Sequence, residues 1–173
     1  GGDQWGNITS GLDFIRRIEG PEAQVFGLTI PLMLKSDGTK FGKSAGGETV
    51  WLDPEKTTPY EFYQFWLNQA DADVVKYLKY FTFLSKEEIE GLQKEVEDQP
   101  HLRNAQKRLA EEVTRFVHSQ EALDNAIAIT QALFTGQVKD LTVEQIEEGF
   151  AHMPQAQAGS EDQDLVIWLV ETG

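Results

Sequence analysis

The 173-residue sequence contains no cysteine. That excludes disulfides and cysteine-ligated metal sites within the chain, and it fits a reducing compartment such as the cytoplasm. Long apolar runs are missing too. None approaches the ~20 residues that a membrane-spanning helix needs. Histidine is scarce, and His101, His118 and His152 stand apart without metal-ligand spacing, so no protein-ligated metal is expected. Positive charge is also in short supply: 15 Lys and Arg face 29 Asp and Glu, a formal charge of -14. Such a chain lacks the broad basic footprint of non-specific nucleic-acid binding, although a local basic patch stays open. What is present is 40% hydrophobic with ten Phe, enough to build a packed core.

The first third reads as α/β. Ile8, Leu12 and Ile15 recur at helical spacing over Asn7 to Ile18, and Gly20-Pro21 ends that helix. Val25 to Leu34 (VFGLTIPLML) is a short apolar run rich in β-formers and predicts a buried strand, with Pro31 near the end of its ladder. Thr49 to Leu52 predicts a further short extended segment.

From Thr57 the pattern turns helical. Thr58-Pro59-Tyr60-Glu61, Ser85-Lys86-Glu87-Glu88 and Thr142-Val143-Glu144-Gln145 are capping boxes. In each, a hydroxyl and a Glu or Gln three residues on satisfy each other's backbone donors. They predict helices over 60–68, 86–98 and 143–150. Asp71 is expected to cap a helix to about Tyr80, and Ser119 one through Leu133. Between them Leu102, Ala105, Leu109, Val113, Phe116 and Val117 recur at three- and four-residue steps. The aromatics from Tyr60 to Trp66 are expected to be helix core rather than a platform for bases. Met153 to Ser160 is small and polar without periodicity, a linker. Asp164 to Thr172 begins one more amphipathic helix. The chain opens on Gly1-Gly2 without an initiator Met and is expected to be an internal piece of a longer protein.

The scarce lysines gather in one place. Lys35-Ser36-Asp37-Gly38-Thr39-Lys40-Phe41-Gly42-Lys43-Ser44 holds three of them in a glycine-rich loop. A P-loop would need four residues between its glycines and a helix starting at the Lys. Here Gly38 and Gly42 enclose three, and Ala45-Gly46-Gly47 is a poor helix start, so spacing and context both reject it. A solvated Asp37-Gly38 turn is the plain alternative. Position favours a ligand site, because α/β sheets place ligands just past their strand ends.

Lys40-Phe41-Gly42-Lys43-Ser44 resembles the second signature of the class I aminoacyl-tRNA synthetases. Gly1-Gly2-Asp3-Gln4-Trp5-Gly6-Asn7-Ile8, Pro59 to Trp66 and Tyr77 to Ser85 are similar to stretches of the bacterial tyrosyl-tRNA synthetases. Gly2 abuts Asp3, where that family commonly has one residue between them. The resemblance implies the end of a Rossmann-like nucleotide-binding catalytic domain over 1–56 and an anticodon-side helical domain over 57–150. A linker over 151–163 and the first helix of an S4-like RNA-binding domain over 164–173 would follow, giving a predominantly helical chain overall.

The same resemblance implies tyrosine activation by ATP with Mg2+, then transfer of the tyrosyl group to tRNA(Tyr), in a cytoplasmic homodimer. The main dimer interface, the first signature and the tyrosine pocket would lie upstream, so the piece alone is expected to be inactive. Lys40, Lys43 and Ser44 would meet the departing pyrophosphate, with Lys35 a third cation. Gly2 and Asp3 would contact ATP and the adenylate, Asp3 bonding the ribose, and Gln4 would lie near the tyrosine and adenylate carbonyl. The backbone of Leu32 and Met33 would hold adenine. Arg103, Lys107, Arg108 and Arg115 are basic residues that could meet tRNA phosphates. A tryptophanyl-type relative and a non-catalytic tRNA-binding module are the other readings.

Overall fold

The computed structural model describes residues 2–30, 32–39, 41 and 49–151. The chain divides into two compact units, Gly1–Thr49 and Val50–Gly173.

The first unit is built on α1 (Gly2–Glu19), longer at its N-terminal end than the periodicity predicts. Gly20 ends it as expected, its N–H bonding to the Arg16 carbonyl at 2.9 Å. The buried strand expected over 25–34 does not form. Among the described residues there is no β-strand, and Leu34 makes only a single bridge. The segment is extended, but Phe26, Leu28 and Ile30 are 86%, 89% and 77% exposed. An apolar extended run becomes a strand only against a partner edge, and no described residue supplies one for most of it. One close approach does hold the run to α1: a Cβ at Gly27 would lie 2.8 Å from the Cγ2 of Ile8. Pro31 lies outside the described residues. Thr49 to Leu52 likewise forms no ladder.

The second unit is helical. Its elements are α2 (Pro59–Leu67), α3 (Asp71–Phe81), α4 (Lys86–Asp98), α5 (Asn104–Val117), α6 (Gln120–Thr135) and α7 (Val143–Phe150). The capping boxes form as expected. Thr58 Oγ1 accepts from the Glu61 N–H at 3.2 Å, while Glu61 Oε2 accepts from the Thr58 N–H at 2.8 Å. Ser85 with Glu88 and Thr142 with Gln145 repeat the arrangement. Accepting from Ser85 holds the exposed Glu88 carboxyl below the usual carboxylate range. Ser119 caps α6 by accepting from the Ala122 N–H. Asp71 is not a cap: Ala70 takes that position with no side-chain bond. The Asp71 carboxylate instead accepts from the Gln106 side-chain amide, which ties the start of α3 to α5.

Helix α5 is central and packs on α2, α3, α4 and α6. It buries Ala105, Leu109, Ala110 and Val113 in one core with the buried Phe62 and Trp66 of α2, Val74, Tyr77 and Leu78 of α3, and Leu123, Ala126 and Ile129 of α6. Burying a side chain of this size stabilises by roughly 1.5–3 kcal/mol. The aromatics of α2 are core, as expected. Trp66 packs edge-on against Phe62, Tyr77 and Phe81 at 6.1, 6.2 and 4.9 Å between ring centroids. Arg103 sits in left-handed backbone geometry (φ 53°), and its guanidinium donates to the carbonyls of Leu67 and Gln69. Across the unit, Glu148 of α7 accepts from the Tyr60 N–H in the first turn of α2 at 2.9 Å.

His118 follows α5 and packs edge-on against Phe62 at 4.8 Å. Its Nε2 is buried with no hydrogen-bond partner among the described residues. Burial holds its pKa below the ordinary histidine value, and Glu148 pulls weakly the other way. Between the two pKa values the unfolded chain binds the proton more readily than the fold does. The stability His118 contributes is therefore intact above the unfolded value of 6.5 and falls as pH drops below it. Urea midpoints measured at about pH 7.5 and about pH 5 should show a smaller acid loss in H118Q than in wild type. An equal loss in both would contradict this.

Candidate active site

The described part of the lysine loop is a short hairpin. Met33 O accepts from the Phe41 N–H at 3.2 Å, and the Lys35 N–H donates to Thr39 O at 2.8 Å. The Gly38 N–H returns to Lys35 O at 3.0 Å. The chain reverses through Gly38, whose φ of +81° suits glycine. Asp37 locks the reversal: its Oδ1 accepts from both the N–H and the hydroxyl of Thr39, at 2.8 and 2.6 Å. The Asp37-Gly38 turn was legible from the dipeptide; the second partner, Thr39, was not. Asp two residues before Thr is the signal that would have found it.

The hairpin brings Met33, Lys35 and Phe41 together, with Lys35 half-buried and Leu32 exposed beside it. Gly2, Asp3 and Gln4 lie in the first turn of α1. Gln4 is exposed, and its Oε1 accepts from Asn7 Nδ2 at 3.4 Å. Lys40, Gly42, Lys43 and Ser44 lie outside the described residues. Among the described residues no group of three or more His, Cys, Asp or Glu could hold a metal ion.

The candidate basic residues of the helical unit are mostly engaged internally. Arg103 is committed to the Leu67 and Gln69 carbonyls. Arg108 lies 3.2 Å from Glu112 and 3.7 Å from Glu88, and Arg115 lies 2.8 Å from Glu112. Lys107 is exposed.

The description of one family, tRNA synthetases class I (W and Y), matches residues 1–135. The chain belongs to this family. Within the synthetases it is 67% identical over all 173 residues to tyrosine–tRNA ligase 2 of Bacillus cereus, of which it covers 41%. It is 64% identical over 172 residues to tyrosine–tRNA ligase 1 of Enterococcus faecalis, again covering 41%. The chain thus spans about two-fifths of the length of the curated relatives it matches. Among solved synthetases it resembles a C-terminally truncated mitochondrial tyrosyl-tRNA synthetase of Aspergillus nidulans, with a TM-score of 0.56 and 26% identity over 77% of this chain and 39% of that one. The corresponding enzyme of Coccidioides posadasii gives a TM-score of 0.56 at 32% identity, over 73% of this chain and 36% of that one. No helix among the described residues is long and apolar enough to cross a membrane.

Proposed function

We propose that this chain is part of a tyrosine–tRNA ligase, carrying the pyrophosphate-facing loop and the anticodon-side helical region. The observation that carries this reading is identity of 67% over the full 173 residues to a tyrosine–tRNA ligase. In this reading residues 1–56 end a Rossmann-like catalytic domain and 57–150 form the helical domain. Residues 151–163 link it to an RNA-binding domain that opens at 164–173. The full-length enzyme is a cytoplasmic homodimer whose main interface lies elsewhere in the protein.

The chemistry follows from charge. ATP enters with Mg2+ as substrate, and the tyrosine carboxylate displaces pyrophosphate to form tyrosyl-adenylate. Negative charge builds on the departing phosphates. Lys40 and Lys43, with the Ser44 hydroxyl and Lys35, meet that charge most strongly in the transition state and so raise kcat. Gly2 and Asp3 border the adenylate, Asp3 accepting from the ribose hydroxyls, and Gln4 donates to the tyrosyl carbonyl. The backbone of Leu32 and Met33 borders adenine. The adenylate then passes its tyrosyl group to the 3′ end of tRNA(Tyr).

Amino-acid-dependent exchange of pyrophosphate into ATP tests the reading. The full-length protein that contains this chain should exchange with tyrosine and not with tryptophan, and the 173-residue chain alone should not exchange. Exchange dependent on tryptophan would move the protein to the other branch of its family. Exchange with neither amino acid, with tRNA binding kept, would make it a binding module.

A further inference from the structure

We propose that Asp37 is a positioning residue for the pyrophosphate-facing loop, acting through Thr39; this rests on the reading of the chain as part of a tyrosine–tRNA ligase. The stem of the hairpin pairs Met33 with Phe41 and Lys35 with Thr39. Side chains on such a stem alternate between faces, so a slip of one residue turns each of them to the opposite side. Lys35 would then leave the face on which it now stands.

Two features oppose that slip. Gly38 occupies the left-handed position, and a shifted register would push a residue with a Cβ into it. Asp37 Oδ1 holds Thr39 by two bonds, 2.8 Å to the N–H and 2.6 Å to the hydroxyl. A carboxylate accepting twice on one atom gives stronger, more directional bonds than a neutral acceptor. Asp37 and Thr39 are both exposed, so the contact adds little to a core. Its value lies in fixing where the signature begins. Catalysis is sensitive to that, because misplacement of a catalytic group by about 1 Å costs up to about 10²-fold in rate.

The experiment is tyrosine-dependent pyrophosphate exchange by the full-length protein, comparing wild type with D37A, D37N and T39V. D37A is expected to lose between about 10-fold and about 10²-fold in kcat, with KM for tyrosine and thermal midpoint unchanged. D37N keeps an Oδ1 acceptor, but a neutral and weaker one, and T39V keeps the bond to the N–H, so both should fall between wild type and D37A. Hydrogen exchange at the Thr39 amide gives a second readout independent of activity. It should be slow in wild type, intermediate in D37N and fast in D37A. A D37A enzyme with wild-type kcat overturns the proposal, as does a D37N enzyme as slow as D37A. If wild type shows no exchange with tyrosine, the ligase reading itself fails, while the Thr39 amide still decides whether Asp37 sets the turn.

Discussion

Replacing Lys43 with Ala in the full-length protein is expected to slow tyrosine activation by about 10²–10³-fold, or ~3–4 kcal/mol of transition-state stabilisation. The reason is differential. A lysine that contacts pyrophosphate only as it departs has little to do with binding tyrosine or holding the fold. KM for tyrosine should therefore hold while kcat falls, and the thermal midpoint should not move. A Lys43→Arg variant separates charge from geometry. Arginine keeps the charge but replaces a compact ammonium by a planar fork, so recovery should be partial. Presteady-state adenylate formation is the measurement, because it isolates the step in which pyrophosphate leaves. Unchanged adenylate formation in K43A would defeat the assignment of the loop to that step.

The largest structural effect is expected at Leu109. It is fully buried on α5, the helix that packs on α2, α3, α4 and α6. Leu109→Ala should destabilise the helical unit by ~2–5 kcal/mol. A site this deeply buried on the central helix collapses poorly, which puts the expected loss in the upper half of that range. Urea unfolding of the 173-residue chain, followed by helical circular dichroism, reads it as a lower midpoint with the slope preserved. Leu102, 40% exposed just before α5, is the control. Its truncation should shift the midpoint far less, and equal losses at both positions would contradict α5 as the centre of the core.

The helices were legible because their signals are local. Thr58 with Glu61, Ser85 with Glu88 and Thr142 with Gln145 carry both halves of a cap within four residues. The strand was misread because a ladder is not local. Val25 to Leu34 has the composition of a strand but, apart from the Met33–Phe41 pairing at its end, no described partner edge, and composition does not show the partner. Asp71 was misread for a related reason: its carboxylate is taken by Gln106, 35 residues further on. The left-handed backbone at Arg103 was equally hidden, since the carbonyls that hold its guanidinium lie 36 and 34 residues away. At the site, the dipeptide Asp37-Gly38 announced a turn. It did not announce that Thr39 would donate two bonds to one carboxylate oxygen.

The bond from the Tyr60 N–H to Glu148 joins residues 88 apart, and so joins the first turn of α2 to α7. Helix starts leave amide donors that need acceptors, and here one is met by the last described helix of the unit. The first and last described helices of the helical unit therefore touch. A unit closed in this way suits circular permutation: a short loop from Ala151 back to Thr58 would reconnect it, and new ends cut in the Gly136–Leu141 connection would leave the α5 core intact.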